Sequence, residues 1–319
     1  MRRRVVAALG MAAVLLLGSA CTPEPIVTIP SASNPPGEAP LTVGAAEVPA
    51  GVDPQEGVLL AHVYAAALNA AGLKAVVKDT AVPAGTAVSG VAAGTLDIAP
   101  VFSRMALAGA APTVPSGDAA EVLAALKAAL PSGVELLDPA KAQDVDSVVV
   151  TAVTAEKYKL KSLADLAGVC SKLTMGGPAE FKTQVHGLLG LGSDYNCVPK
   201  EYRVLKPTPG HSDDSTLWEL LRDDIQLANI HSSAPGIEDN SLVVLSDPKG
   251  LFQAQDLVPV VATATVPEAV QAVLNKVSGA LTAEELANLN RLAQDRHFGD
   301  LSEAATAWLV QQGLVKASS

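Results

Sequence analysis

The stretch GHSDD at 210–214 is the part of this sequence nearest to a catalytic signature. A serine nucleophile of the G-x-S-x-G type sits on a sharp strand-to-helix elbow that lifts its hydroxyl clear of the sheet. Here Asp214 replaces the second glycine and no apolar strand leads into Gly210, so Ser212 or Asp213 serves equally well as a helix N-cap. A serine hydrolase using Ser212 and one of the histidines is therefore kept only as an alternative. The five histidines, at 62, 186, 211, 231 and 297, are dispersed. With no H-E-x-x-H, paired-cysteine spacing, P-loop or G-x-G-x-x-G, neither metal nor cofactor is expected, and the chain is not expected to be an enzyme. Two strand ends say more. LDIAPVFSRM (96–105) and IQLANIHSSAPGI (225–237) each run an apolar strand into small polar residues. Open α/β sheets bind ligands in the crevice outside the carboxyl ends of their strands, which makes Ser103, Ser232 and Ser233 candidate contacts. Their ordinary alternative is as caps and turns.

The elements that must hold these residues follow from periodicity. LTVGAA (41–46) reads as a strand, and 55–71 as a helix with Val58, Leu59, Val63, Ala66 and Ala67 at helical spacing. KAVVK (strand), 88–93 (helix), LDIAPV (strand), 119–130 (helix) and VELLD (strand) follow. The pattern restarts at SVVVTAV (147–153) as a strand, then SLADLAG (helix), KLTM (strand), helices over 180–189 and 215–221, and IQLANI and SLVVLS as strands. LVPVVAT and three helical pieces close the chain, with a capping box at Thr282 and Glu285 and a stop at Gly313. Strands alternating with helices of this length predict parallel βαβ units and an α/β body.

The N-terminus carries a different instruction. Arg2 to Arg4, an apolar run from Val5 to Leu17 and Gly18-Ser19-Ala20 before Cys21 have the layout of a secretory signal peptide over residues 1–20. The small residues just before Cys21 resemble the bacterial lipobox, although Gly18 stands where Leu, Val or Ile is usual. Cys21 is thus expected to be acylated, the alternative being an ordinary cleaved signal. Residues 21–40, with six prolines, read as a tether reaching at most about 3.1 Å per residue. Removing residues 1–20 leaves 19 basic against 33 acidic side chains, a net charge near −14. An acidic surface argues against nucleic acid and against electrostatic adhesion to anionic lipid, so membrane contact falls to the lipid anchor. Outside the cytoplasm Cys170 and Cys197 are expected to form a disulfide, with two separately buried thiols as the alternative.

Several stretches, in order, resemble the substrate-binding proteins of ABC-type glycine betaine and osmoprotectant transporters, the ProX and OpuAC type. TVGAAEVP with EGVLLAHVYAAALNAAGLKAVVK resembles the opening strand and long helix, and LDIAPVF the "DLxPEYTG" segment. AQDVDSVVVTAVTAEKYKLKSLADLA is similar to "AxDxxxLVVTxExAxKYxLxxLSDLA", GGPAEFKTQVHGLLGLGSDY to "GGPPEFxxRxDGxxGLxxxY", and HSSAPGI to "FTTDPAI". LVVLSDPKGLFQAQDLVPVV resembles the return segment. The resemblance covers nearly all of residues 41–319. It implies a two-lobed periplasmic-binding-protein fold of type II with the ligand cleft between the lobes, 41–146 plus 249–319 forming one lobe and 147–248 the other. It also implies closure by hinge bending, a small-molecule solute as ligand, and an ABC permease with its ATPase as partners of a monomeric, extracytoplasmic lipoprotein. A sensing or scavenging lipoprotein without a permease is the alternative that keeps the fold.

The departures from the family pattern bear on the ligand. A quaternary ammonium needs aromatic faces and a carboxylate is best held by arginine. Phe102 stands at the tyrosine of "PEYTG", Gln184 at the arginine of "EFxxR", His186 at the nearby aspartate, His231 at the phenylalanine of "FTTDP" and Ala234 at its aspartate. Aromatics are only 3% of the chain, with Tyr202 or Trp218 available to supply a missing face. The expected site is Phe102 as packing face, Ser103, Ser232 and Ser233 as donors, and Asp144, Gln184, Asn229 and His231 as polar walls, with Glu47 after the first strand. Gln184 and His231 without a fixed cation suggest a neutral hydroxylated or aromatic ligand, a polyol or phenolic compound, with a betaine-like solute as the alternative if other residues rebuild the cage.

Overall fold

The computed structural model describes residues 39–111, 118–205, 215–253, 255–295 and 297–316. Its first half alternates β1 (Leu41–Ala46), α1 (Gln55–Ala70), β2 (Ala75–Val82), α2 (Ala84–Ala92), β3 (Ile98–Phe102), α3 (Ser103–Ala110), α4 (Ala119–Ala129) and β4 (Val134–Leu136). Then come β5 (Gln143–Asp144), β6 (Asp146–Val150), α5 (Ala152–Tyr158), β7 (Thr174–Gly177), α6 (Ala179–Thr183), α7 (Leu188–Tyr195) and β8 (Glu201–Val204). The chain finishes with α8 (Ser215–Leu221), β9 (Leu227–His231), α9 (Gly236–Asp239), β10 (Val243–Val244), β11 (Gln255–Ala262), α10 (Glu268–Ala280), α11 (Ala283–Gln294) and α12 (Leu301–Gln311).

Two sheets result. The first has the order β2-β1-β3-β11-β4, with β5 also paired to β11; the second has the order β10-β6-β9-β7-β8. The βαβ expectation holds where a local helix makes the crossover: β1 runs parallel to β2 and β3, and β7 parallel to β8 and β9. It fails for the strands that arrive from the other sheet. β11 is antiparallel to β3 and β4, and β6 antiparallel to β9. A right-handed helical crossover fixes a parallel direction only within one sheet, and these strands have none.

The sequence explains which faces are buried. In α1, Leu60, Val63, Tyr64, Ala67 and Leu68 form one enclosed stripe, and the helix packs on α12 and α10. The Tyr64 hydroxyl meets Ser278 Oγ at 3.0 Å, and Trp308 of α12 donates from Nε1 to Glu285 Oε2 at 2.9 Å. Those bonds satisfy the polar ends of two large aromatic groups inside an apolar cluster. Thr282 caps α11 by accepting from the Glu285 N–H, and Gly313 takes φ +66 just past α12.

Several element boundaries differ from the sequence expectation. The strand predicted over 147–153 stops at Val150, because Thr151 caps α5 by accepting from the Thr154 N–H. The helix predicted over 180–189 is two helices: the chain extends at Gln184, and Gly187 lies so close to the Phe181 carbonyl that a Cβ there would collide with it. SLADLAG is a 3-10 rather than an α-helix. Helix α3 and strands β5 and β8 had no clear periodic signal. Cys170 and Cys197 are joined in a disulfide beneath the second sheet's core.

Candidate functional site

The loop after β1 and the first turn of α1 press against the carboxyl end of that strand. Gly57 permits this, since a Cβ would collide with the Ala46 carbonyl oxygen. The same turn carries Glu56 inward until it is 1% exposed. Its Oε2 accepts from Asn290 Nδ2 of α11 at 2.5 Å, and Asn290 also donates to the Ser233 carbonyl at 3.1 Å. Its Oε1 has no hydrogen-bond partner among the described residues. Burial, and secondarily the charge of Asp144, push the Glu56 carboxyl up to about 8 against the lowering influence of Asn290, Ser233 and His231.

On the facing side, β9 ends at His231. Its Nδ1 lies 2.7 Å from Asp144 Oδ2, its Nε2 lies 3.0 Å from the Ala50 carbonyl oxygen, and Asp146 Oδ1 is 3.4 Å from Nε2. Two acceptors facing two ring nitrogens demand two donors, so the ring is an imidazolium. Burial opposes that charge most strongly, yet Asp144, Asp146 and the Ala50 carbonyl together raise the histidine to about 9. Asn229 donates to Asp146 Oδ1 at 2.8 Å. Ser232 accepts from the Val145 N–H at 3.0 Å and donates to the Gln143 carbonyl, stitching the end of β9 to the chain that crosses between the sheets.

Beside this polar cluster lies a cavity of about 290 Å³. One side is built from the loop before α1, Glu56 and α11; the other from α8, the end of β9 and α9. Val52, Leu217, Trp218, Leu221 and Ile230 give it an apolar wall, while Glu56, His231, Ser233 and Asn290 give it a polar one. At its edge Arg291 of α11 bonds Asp239 at 2.7 Å and Glu238 at 3.1 Å, joining α11 to α9. The cavity has the mixed lining of a small-molecule site: apolar contact area and a few convergent polar groups.

Of the residues singled out in the sequence, His231 and Ser233 line this cavity; Asp144 pairs with His231, while Asn229 donates to Asp146 and Ser232 bonds the crossing chain at Gln143 and Val145. Trp218 supplies the aromatic wall. Phe102 does not reach it. It shares a strand face with Ile98 and is enclosed in the first sheet's core, where the alternation of β3 directs it. Ser103 is also enclosed, its Oγ accepting from the Asp256 N–H at 3.1 Å. Glu47 lines a separate, open depression with Pro83, Thr86 and Met105. Gln184 and His186 are exposed beyond α6. Tyr202 is stacked on Phe181 and donates to the Pro178 carbonyl. Cys21, His211 and Ser212 lie outside the described residues, among which no cluster could hold a metal ion. Glu56 and Asn290 were missed. The signal for Glu56 was present, because it continues the buried stripe of α1 at positions 56, 60, 63, 64 and 67.

Two mixed α/β halves with a cavity between them define a solute-binding protein of the two-lobed, type II periplasmic class. The chain belongs to the family of substrate-binding domains of ABC-type glycine betaine transport systems, whose model matches residues 48–311. A solved glycine betaine/carnitine/choline ABC transporter structure is similar at TM-score 0.73 and 18% identity, covering 85% of this chain and 98% of that one. Apo YehZ from Escherichia coli follows at TM-score 0.66 and 22% identity, covering 86% and 99%. Lactococcal OpuAC, closed on glycine betaine, is similar at TM-score 0.53 and 17% identity, covering 86% and 96%. No curated protein sequence matches.

Proposed function

We propose that this chain is an extracytoplasmic lipoprotein that captures a small, carboxylate-free solute in the cavity between its lobes and hands it to an ABC permease. The observation that carries the proposal is the shared lining: residues 51–56, Asn290 and Gln294 on one side and 217–240 on the other enclose one volume, so an occupant would join the two halves. Among the described residues no lysine or arginine lines that volume, and the one cationic side chain in its wall, His231, has both nitrogens committed to Asp144 and Ala50. A ligand carboxylate would therefore enter uncompensated, at a cost of several kcal/mol or a shift to its neutral form. A neutral hydroxylated or ring-bearing solute suits the lining better, its apolar side on Trp218 and Ile230 and its hydroxyls on Ser233, Asn290 and Glu56. The crossings near residues 145 and 249 would serve as hinges for closure.

A thermal-shift screen of the full chain in mild detergent tests this, using glycine betaine, proline betaine, choline, carnitine, polyols and phenolic compounds. A ligand at one hundred times its dissociation constant stabilises the folded state by about 2.7 kcal/mol. A shift with the uncharged compounds is the expected result, and a shift confined to the betaines would overturn the neutral-solute reading while leaving solute capture intact. For the anchor, Cys21→Ala is expected to move the protein from membrane to soluble fractions; continued membrane retention would refute acylation at Cys21.

A further inference from the structure

The polar wall of the cavity holds one group with an unanswered requirement. Glu56 is 1% exposed, Asn290 Nδ2 occupies its Oε2, and Oε1 meets no partner among the described residues. A buried polar atom left unpaired costs roughly 1–3 kcal/mol, and when its residue also forms a ligand-sized cavity wall the missing partner is naturally the occupant. The charges around it fix what that partner is. Asp144 of β5 faces Glu56, Asp146 of β6 stands behind His231, and Asp53 precedes α1 on the same cavity wall. Among the described residues His231 of β9 supplies the positive charge that acts on Glu56, already shared with Asp144, and Asp239 of α9 is answered by Arg291 of α11. A second full carboxylate beside Asp144 is disfavoured, so Glu56 keeps its proton. Because Oε2 accepts from Asn290, the proton falls to Oε1, with the Ser233 side chain the other polar group acting on the carboxyl.

We propose that Glu56 is a specificity-determining residue of this cavity: a neutral carboxyl that donates its Oε1 hydrogen to an uncharged oxygen of the ligand, selecting polyols or hydroxylated rings over zwitterionic betaines. This rests on the reading that the cavity is the solute site. A hydroxyl oxygen satisfies the donor while its own hydrogen bonds a second wall acceptor. A quaternary ammonium offers Oε1 no acceptor, and a betaine carboxylate brings a second negative charge next to Asp144.

The test uses the full chain in mild detergent, wild type and Glu56→Gln. In the variant Asn290 orients the side-chain oxygen, so the amide N–H₂ faces the place of the Oε1 hydrogen and mimics the protonated acid at every pH. The probes are myo-inositol, sorbitol, glycine betaine and choline, measured by calorimetry. With the Glu56 carboxyl pushed up to about 8, polyol affinity for the wild type is expected to be about tenfold weaker at about pH 9 than at about pH 7. Glu56→Gln should bind comparably at the lower pH and lose that step, keeping only what His231 contributes. Infrared spectra near neutral pH should show a protonated-carboxyl carbonyl band in the wild type that Glu56→Gln lacks. Absence of the band overturns the inference and leaves solute capture standing. Binding of betaine or choline with no polyol binding does the same. If none of the four probes binds, the inference is overturned, and solute capture is then decided by the wider thermal-shift screen.

Discussion

His231 Nδ1 and Asp144 Oδ2 stand 2.7 Å apart with both side chains almost wholly excluded from water. With Nε2 held by the Ala50 carbonyl, the imidazolium fastens the end of β9 to the crossing strand β5 and to the loop before α1 at once. Its proton is thus part of how the two halves meet, and losing it removes a donor from one of two buried acceptors.

Stability should therefore fall as pH rises. His231 is raised from 6.5 to about 9, so its contribution is complete below about pH 6.5 and is lost as pH approaches about 9. Glu56, raised from 4.5 to about 8, works in the same direction, since the folded state keeps a proton the unfolded state has already released. Urea midpoints at about pH 6 and about pH 9 measure this, the second expected to be lower. In His231→Gln the decline should shrink to the range that Glu56 governs. A midpoint rising with pH would contradict the assigned protonation states.

Arg291 bridges α11 and α9 through Asp239 and Glu238. All three side chains are more than a third exposed, so the bridge is worth at most about 1 kcal/mol and is weakened by salt. Arg291→Ala is expected to leave the unfolding midpoint nearly unchanged while increasing the unliganded radius of gyration in low-salt X-ray scattering. An identical scattering curve would show that the bridge does not hold the halves together.

The disulfide closes a loop with a sequence separation of 27. Chain-entropy arithmetic for such a loop gives about 3–4 kcal/mol, so the double variant Cys170→Ser, Cys197→Ser should lose about that much in denaturant unfolding. Cys170 and Cys197 belong to the second sheet's core cluster, and an unchanged midpoint would mean that the cross-link adds nothing to that packing.

Trp218 borders the cavity at 41% exposure, whereas Trp308, the other tryptophan, is fully enclosed under α1. A bound solute should shift the emission of Trp218 to shorter wavelength as its indole loses water. Trp218→Phe should abolish the change and weaken binding severalfold through lost contact area. A ligand that binds without altering the fluorescence of the wild type would have to sit elsewhere.

Sequence patterning revealed the elements whose side chains repeat regularly. The stripe of α1, the β1 and β3 runs and the capped start of α11 all form where periodicity and capping place them. It did not reveal strand direction for β11 and β6, because nothing local dictates how a strand arriving from another sheet must point. The candidate site divides along the same line. His231 and Ser233 were visible as polar residues at a strand end, whereas Glu56 and Asn290 lie 234 positions apart and become partners only when α11 folds back onto α1. Phe102 was assigned a ligand-facing role through resemblance, yet the pleat of β3 turns it toward the core.

Strand β11 lies between β3 and β4, although more than a hundred residues, including the entire second sheet, separate it from either in the chain. During synthesis the first sheet must wait with an open seam until residues 255–262 emerge, while every strand of the second sheet, 146–244, is already available. Closing that seam means joining distant parts of the chain, an entropically slow step. The order of maturation is consequently inside-out: the inserted half can settle first, and the half that contains the chain's beginning settles last.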